Sequence, residues 1–242
     1  MANIADSAVL VTGGNRGIGR ALVEEALKRG AKRVYAGTRA PLGHADERVV
    51  PLLLDVTDAD RLRRAAEEVD DLDLLVNNAG IAVADDLADR SALERHLAVN
   101  LFGTYDVIQA FLPPLLRSRG TIVNNLSLNA LAALPLLPAY SVSKAAAFSL
   151  TQSLRALLAG RGVRVHAVLA GPVDTDMTRA LHVPKTSAQS VARAVFDGVE
   201  KGEEDIFPDP LAGAVAEAWR GGVGKSLERR HAELSVARDD QA

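Results

Sequence analysis

Short apolar runs rich in β-branched residues alternate with helical patterns along nearly the whole 242-residue chain. Residues 8–12 (AVLVT), 33–38 (RVYAGT), 49–54 (VVPLLL), 72–76 (LDLLV), 121–126 (TIVNNL), 163–169 (VRVHAVL) and 205–207 read as strands, the third despite Pro51. Between them, residues 17–29, 58–69, 91–98, 102–118, 140–158 and 188–201 read as helices, the first closed by Gly30. Near-continuous apolar strands, rather than alternating ones, belong to parallel sheets covered on both faces. The rhythm predicts an α/β fold: a Rossmann-like, doubly wound parallel sheet of about seven strands with helices on both faces. No linker or internal repeat divides the chain, so a single domain over 1–242 is expected. Its polar tail, 220–242, ends RDDQA and is expected to fray.

Composition removes several function classes. There is no cysteine, hence no disulfide scaffold, thiolate metal site or cysteine nucleophile. The 28 Lys and Arg against 31 Asp and Glu leave a net charge of −3, which gives nucleic acid no basic face. The longest apolar run, 130–140, carries Pro135 and Pro138 and is about half the ~20 residues a spanning helix needs. The N-terminus has no basic stretch ahead of a long apolar core, so no secretory signal is expected, and a cytoplasmic location is.

Thr12–Gly19 reads TGGNRGIG and sits between the first strand and the first helix. Glycines there let the chain turn tightly and let its backbone approach a pyrophosphate, while the helix N-terminus presents N–H groups to that anion. The expected cradle is Gly13, Asn15, Arg16, Gly17, Ile18 and Gly19. Its spacing, T-G-x-x-x-G-x-G, differs from the commoner G-x-G-x-x-G fingerprint.

Further motifs follow in a fixed order: Asp55-Val56 after the third strand, Asn77-Asn78-Ala79-Gly80 after the fourth, and Asn100 in AVNLFG. Then come Ser127, thirteen residues before Tyr140, the Tyr140–Lys144 pair (YSVSK), and Gly171-Pro172-Val173-Asp174-Thr175 after the sixth strand. Together with the glycine loop, this set resembles the short-chain dehydrogenase/reductase family from Thr12 to Thr175. The resemblance implies an NAD(P)-dependent oxidoreductase. It places Asp55 and Val56 beside the adenine, Asn77, Ala79 and Gly80 along the cofactor, and Gly171, Val173 and Thr175 at the nicotinamide end. Ala170 stands where relatives carry Pro, Leu126 where they carry Ser, and Ala130 where Gly is frequent.

The choice between NAD and NADP has a physical handle. About 20 residues past the last loop glycine, an acidic residue would hold the ribose hydroxyls of NAD, whereas an Arg would accept the 2′-phosphate of NADP. Here Thr38 takes the acidic position and Arg39 follows, with Arg16 as a second cation. Two guanidinium groups and no carboxylate favour NADP(H). The plainer reading is that Arg39 merely opens a solvated loop.

Tyr140 and Lys144 are one helical turn apart and share a face. A phenol near pKa 10 is lowered by a neighbouring ammonium. Tyr140 can then protonate a carbonyl oxygen or deprotonate an alcohol, with Ser127 donating a hydrogen bond to the same oxygen. The resemblance adds that Lys144 binds the nicotinamide ribose and that Asn100 holds a water linking Lys144 to solvent. Alternatively, Ser127 is a turn cap, and Asn100 caps a helix starting near Leu101.

The pocket wall expected from Leu128, Asn129, Leu134, Leu136, Leu137 and Met177 is mainly apolar, which suits a neutral, hydrophobic ketone or aldehyde. An alcohol oxidation and a catalytically idle nucleotide sensor are the competing readings. Relatives often pair through the helices carrying 102–118 and Tyr140, implying a homodimer or homotetramer. The five His show no metal-ligand spacing; Asp85, Asp86 and Asp89 read as solvated surface; and GGVGKS at 221–226 lacks the earlier glycine and strand of a phosphate-binding loop. A short lid over 176–187 is expected.

Overall fold

The computed structural model describes residues 3–239. The elements in order are β1 (Ala8–Thr12), α1 (Gly17–Lys28), β2 (Arg33–Thr38), β3 (Val49–Leu53), α2 (Ala59–Glu67), β4 (Leu74–Asn77), α3 (Arg90–Leu97), α4 (Thr104–Ser118) and β5 (Thr121–Asn125). There follow α5 (Pro138–Ala159), β6 (Arg164–Val168), β7 (Val173–Asp174), β8 (Thr186–Ser187), α6 (Ala188–Lys201), β9 (Asp205–Ile206), α7 (Pro210–Arg220) and α8 (Val223–Asp239).

Seven strands form one parallel sheet in the order β3-β2-β1-β4-β5-β6-β9, as the strand rhythm predicts. Strand order reverses between β1 and β4, and the crevice at their C-terminal ends is where such sheets take a ligand. Alternate residues of the central strands feed two large cores, and a smaller one gathers Leu126, Phe148, Ala167 and Leu169. Val9, Val11, Val34, Val76 and Val168 pack under α1 and α6, while Leu10, Tyr35, Leu75, Ile122 and Val165 pack under α2, α4 and α5. Both faces of β1 are buried, which is why its sequence shows no polar alternation. Pro51 is tolerated because β3 is an edge strand that, among the described residues, pairs only with β2.

Several boundaries move by one or two residues, and three differences matter more. No break separates α3 from α4: a π-helical turn, Ala98–Gly103, joins them, and Asn100 lies inside it rather than at a helix start. Two helices, α7 and α8, follow the last strand. Where the polar pattern suggests fraying beyond Gly221, α8 forms, because its Lys225 is buried against Glu204, Asp205 and Glu228. The last residues of that expected tail, 240–242, lie outside the described residues. Finally, the lid region gains a small parallel pair in which Val173 faces Thr186. Among the described residues no helix is long and apolar enough to cross a membrane.

Candidate active site

The glycine loop is clamped to the next crossover. The Thr12 hydroxyl accepts from the Asn78 and Ala79 N–H groups, both at 3.0 Å, and the Asn78 amide donates to the Thr12 carbonyl at 2.9 Å. This fixes the N-N-A-G segment against the end of β1. Gly19 admits no side chain, since a Cβ would lie 2.0 Å from the Gly13 carbonyl oxygen, and Gly17 has φ +53°. The α1 N-terminus has no side-chain cap and no acidic residue in its first turn, so its N–H groups suit an anion. Deeper along the crevice, the Asn77 amide donates to Asn124 at 2.9 Å, but Oδ1 of Asn77 and of Asn125 are buried without a partner. A nucleotide's phosphates, hydroxyls and amide fit this donor-rich, incompletely satisfied groove.

At the C-terminal end of β2 Thr38 is buried, its hydroxyl donating to the Ala40 carbonyl at 2.5 Å. Arg39 is exposed. Burial pushes the Asp55 carboxyl up, but Thr57 donates to it from N–H (3.0 Å) and hydroxyl (2.8 Å), and with the charges of Arg39 and Arg61 holds it below the usual range. Val56 is buried under Gly103. Arg16 turns to Asp176, 3.4 Å away, across the entrance of the groove. Beside that contact, Gly17 abuts Thr175: a Cβ on Gly17 would lie 3.3 Å from the Thr175 methyl. The lid and the glycine loop therefore touch. Within the 176–187 segment, Lys185 donates to the Thr178 carbonyl at 2.6 Å.

The catalytic candidates converge where β5 ends and α5 begins. Ser127 does cap a turn, accepting from the Asn129 N–H at 3.1 Å, and is also hydrogen-bonded to the Tyr140 phenol. Lys144 is buried, donates to the Asn125 carbonyl at 2.8 Å and lies 5.7 Å from the Tyr140 ring centroid. Asn100 is also buried; its side chain accepts from the Ile81 N–H and donates to the Ile81 carbonyl and the Ser143 hydroxyl, all at 2.9 Å.

The electrostatics differ from the sequence expectation that Lys144 lowers the phenol. Burial pushes Tyr140 up to about 12, partly opposed by the Ser127 hydrogen bond. Burial also brings Lys144 down to about 8. In this structure desolvation is the dominant influence on both groups.

Three residues near the site escaped the sequence reading. Asp209 accepts from the Gly171 N–H at 2.7 Å while capping α7, and its Asp-Pro pair is a helix-start signal that the sequence carries. Asp85, read as solvated surface, accepts from the Ala139 N–H with both oxygens at 3.3 Å and so caps α5. His96 contacts the Tyr140 ring, which no local pattern announces. Among the described residues no cluster could hold a metal ion. A separate groove of about 490 Å³ between α2 and α4, lined by Leu62, Ala66, Asp106 and Gln109, contains none of the site residues.

A family model described as short chain dehydrogenase matches residues 7–185. The chain is 36% identical over 208 residues to 2-(S)-hydroxypropyl-CoM dehydrogenase 3 of Xanthobacter autotrophicus, covering 78% of this chain and 81% of that protein. A short chain dehydrogenase from Burkholderia cenocepacia, solved in complex with NADP, is 38% identical with a TM-score of 0.85, over 95% of this chain and 99% of that one. A Burkholderia phymatum protein solved with NAD shares the fold at a TM-score of 0.80 and 21% identity, over 89% and 93% of the two chains.

Proposed function

The chain belongs to the short-chain dehydrogenase/reductase family of NAD(P)-dependent oxidoreductases, and from that membership we propose that it reduces a ketone or aldehyde to an alcohol with NADPH, in a single domain carrying both cofactor and catalytic residues. The observation that carries the reading is the convergence of Ser127, Tyr140 and Lys144 at the C-terminal end of β5, with the two hydroxyls hydrogen-bonded.

The groove from Gly13 to Gly19 would hold the pyrophosphate on backbone N–H groups. Asp55 and Val56 would flank the adenine, Asn77, Ala79 and Gly80 would line the middle, and Gly171, Val173 and Thr175 would meet the nicotinamide. Thr38 has no carboxylate to repel a 2′-phosphate, and Arg39 is free to face it. The bound cofactor supplies the hydride. Tyr140 holds its proton firmly at neutral pH and delivers it to the carbonyl oxygen, while Ser127 donates a hydrogen bond to that oxygen as charge develops. Lys144, still mostly charged at pH 7, steadies Tyr140 as it loses its proton. The Asn100 amide donates both its N–H groups, to the Ile81 carbonyl and the Ser143 hydroxyl, so a relay water would have to donate to an oxygen of this residue.

The substrate is neutral and apolar, since Leu136 and Met177 leave large exposed faces near the lid. Phe102 and Tyr105 on the α4 side and Val142 and Leu157 on α5 are likewise exposed, and they form the face for a homo-oligomer. The test is loss of NADPH absorbance across a panel of apolar ketones and aldehydes. Wild type turns over at least one; Tyr140→Phe binds NADPH as tightly but turns over about a hundred- to ten-thousandfold more slowly. Tight NADPH binding with no turnover on the whole panel would support the sensor instead.

A further inference from the structure

His96 has no part in the chemistry above, yet it is buried against the phenol. It lies on α3 with 1% of its surface exposed. Its ring meets the Tyr140 ring edge-on, with centroids 6.4 Å apart and planes at 70°. Nδ1 is 2.7 Å from the Ala92 carbonyl oxygen, which can only accept, so Nδ1 carries the proton. Nε2 accepts from the Val83 N–H at 3.1 Å. One nitrogen thus belongs to the helix and the other to the loop after β4.

That loop is anchored on either side of Val83. Asn100 binds both the N–H and the carbonyl of Ile81. Asp85 binds the Ala139 N–H, on the residue before Tyr140. His96 supplies the middle anchor and is the only one of the three that also touches the Tyr140 ring. Val83 itself is 51% exposed, so its part-buried N–H bond serves to place a segment whose side chain faces outward.

We propose that His96 is a positioning residue: through the Val83 bond and its edge against Tyr140, it sets the loop after β4 as a fixed wall facing the phenol, and so the seat of an apolar carbonyl substrate. The kinetic part of this proposal rests on the carbonyl-reductase reading; the structural part does not. A leucine would fill the space but leave the Val83 N–H unpaired. Asparagine reproduces the reach of Nδ1 to the helix, glutamine that of Nε2 to the loop.

The experiment compares His96→Gln, His96→Asn and His96→Leu in the full chain by three measurements: amide hydrogen exchange of a peptide spanning 81–87, NADPH affinity, and kcat and KM with the best ketone of the panel. In His96→Asn and His96→Leu the 81–87 peptide should exchange faster and the ketone KM should rise about tenfold or more, with kcat lowered and NADPH affinity unchanged. His96→Gln should recover most of both. Equal behaviour of the Gln and Asn variants, or losses that follow only the melting temperature, would overturn the proposal. If wild type reduces no carbonyl, the functional reading fails while exchange still decides: unchanged exchange in every variant refutes positioning, and faster exchange in Asn and Leu alone upholds it.

Discussion

Lys144 is a cation with 6% exposure and one hydrogen bond, so folding strains its protonation. Its pKa falls from the usual 10.5 to about 8. Between those values the unfolded chain holds a proton that the folded chain has released, so stability rises with pH across that window by about 3 kcal/mol. Urea unfolding at pH 7.5 and 10.5 should show this rise in wild type and not in Lys144→Met; equal pH slopes would refute it. Arg39 carries a second residue-scale prediction. In Arg39→Asp, NADPH affinity should drop about ten- to a hundredfold and NADH should become the better cofactor, the size expected for a lost charge-assisted hydrogen bond. An unmoved cofactor ratio would leave Arg39 as the opening of a solvated loop. Tyr140, Lys144, Ser127 and Asn100 were legible at this scale because their spacing is a motif. His96 was not: a histidine on a helix has many uses, and only the packed neighbour shows which applies.

At the scale of elements, the strand–glycine–helix unit was readable because each part follows from local chemistry. The loop needs glycine where a Cβ has no room, and Gly19 is the strictest position. Gly19→Ala would drive a methyl into the Gly13 carbonyl, so NADPH binding should be abolished and the melting temperature lowered; titration and a thermal scan check both. The π turn around Asn100 was not readable, since it depends on Asn100 reaching across to Ile81 on another segment. The same holds for β7 and β8. Two-residue strands exist only because Val173 and Thr186 are brought side by side.

The whole molecule closes through its C-terminal helices. Trp219 packs on Phe148, one turn beyond Lys144, and donates to Asp205 at 2.8 Å. Lys225 meets Glu204 (2.9 Å), Asp205 (2.8 Å) and Glu228 (3.0 Å), and Arg155 of α5 meets Asp205 and Glu228. This network ties α8 to the helix that carries Tyr140. Lys225→Met removes one of two cations facing three carboxylates and should cost about 3–5 kcal/mol in urea unfolding, against about 0.5 or less for exposed Leu227→Ala. Burial pushes the Glu204 and Asp205 carboxyls up, but these cations hold both below their ordinary 4.5 and 3.8. The network's contribution is therefore present at neutral pH and lost as acid protonates them. By itself the sequence determined the parallel sheet, the glycine cradle and the chemical types at the site, because periodicity, steric room and motif spacing are local properties. Only the tertiary structure decided that the polar C-terminus is a docked helix, that burial lifts the Tyr140 phenol, and that His96 and Asp85 brace its surroundings. Desolvation and partner choice depend on which distant segments meet, and no window of sequence contains that.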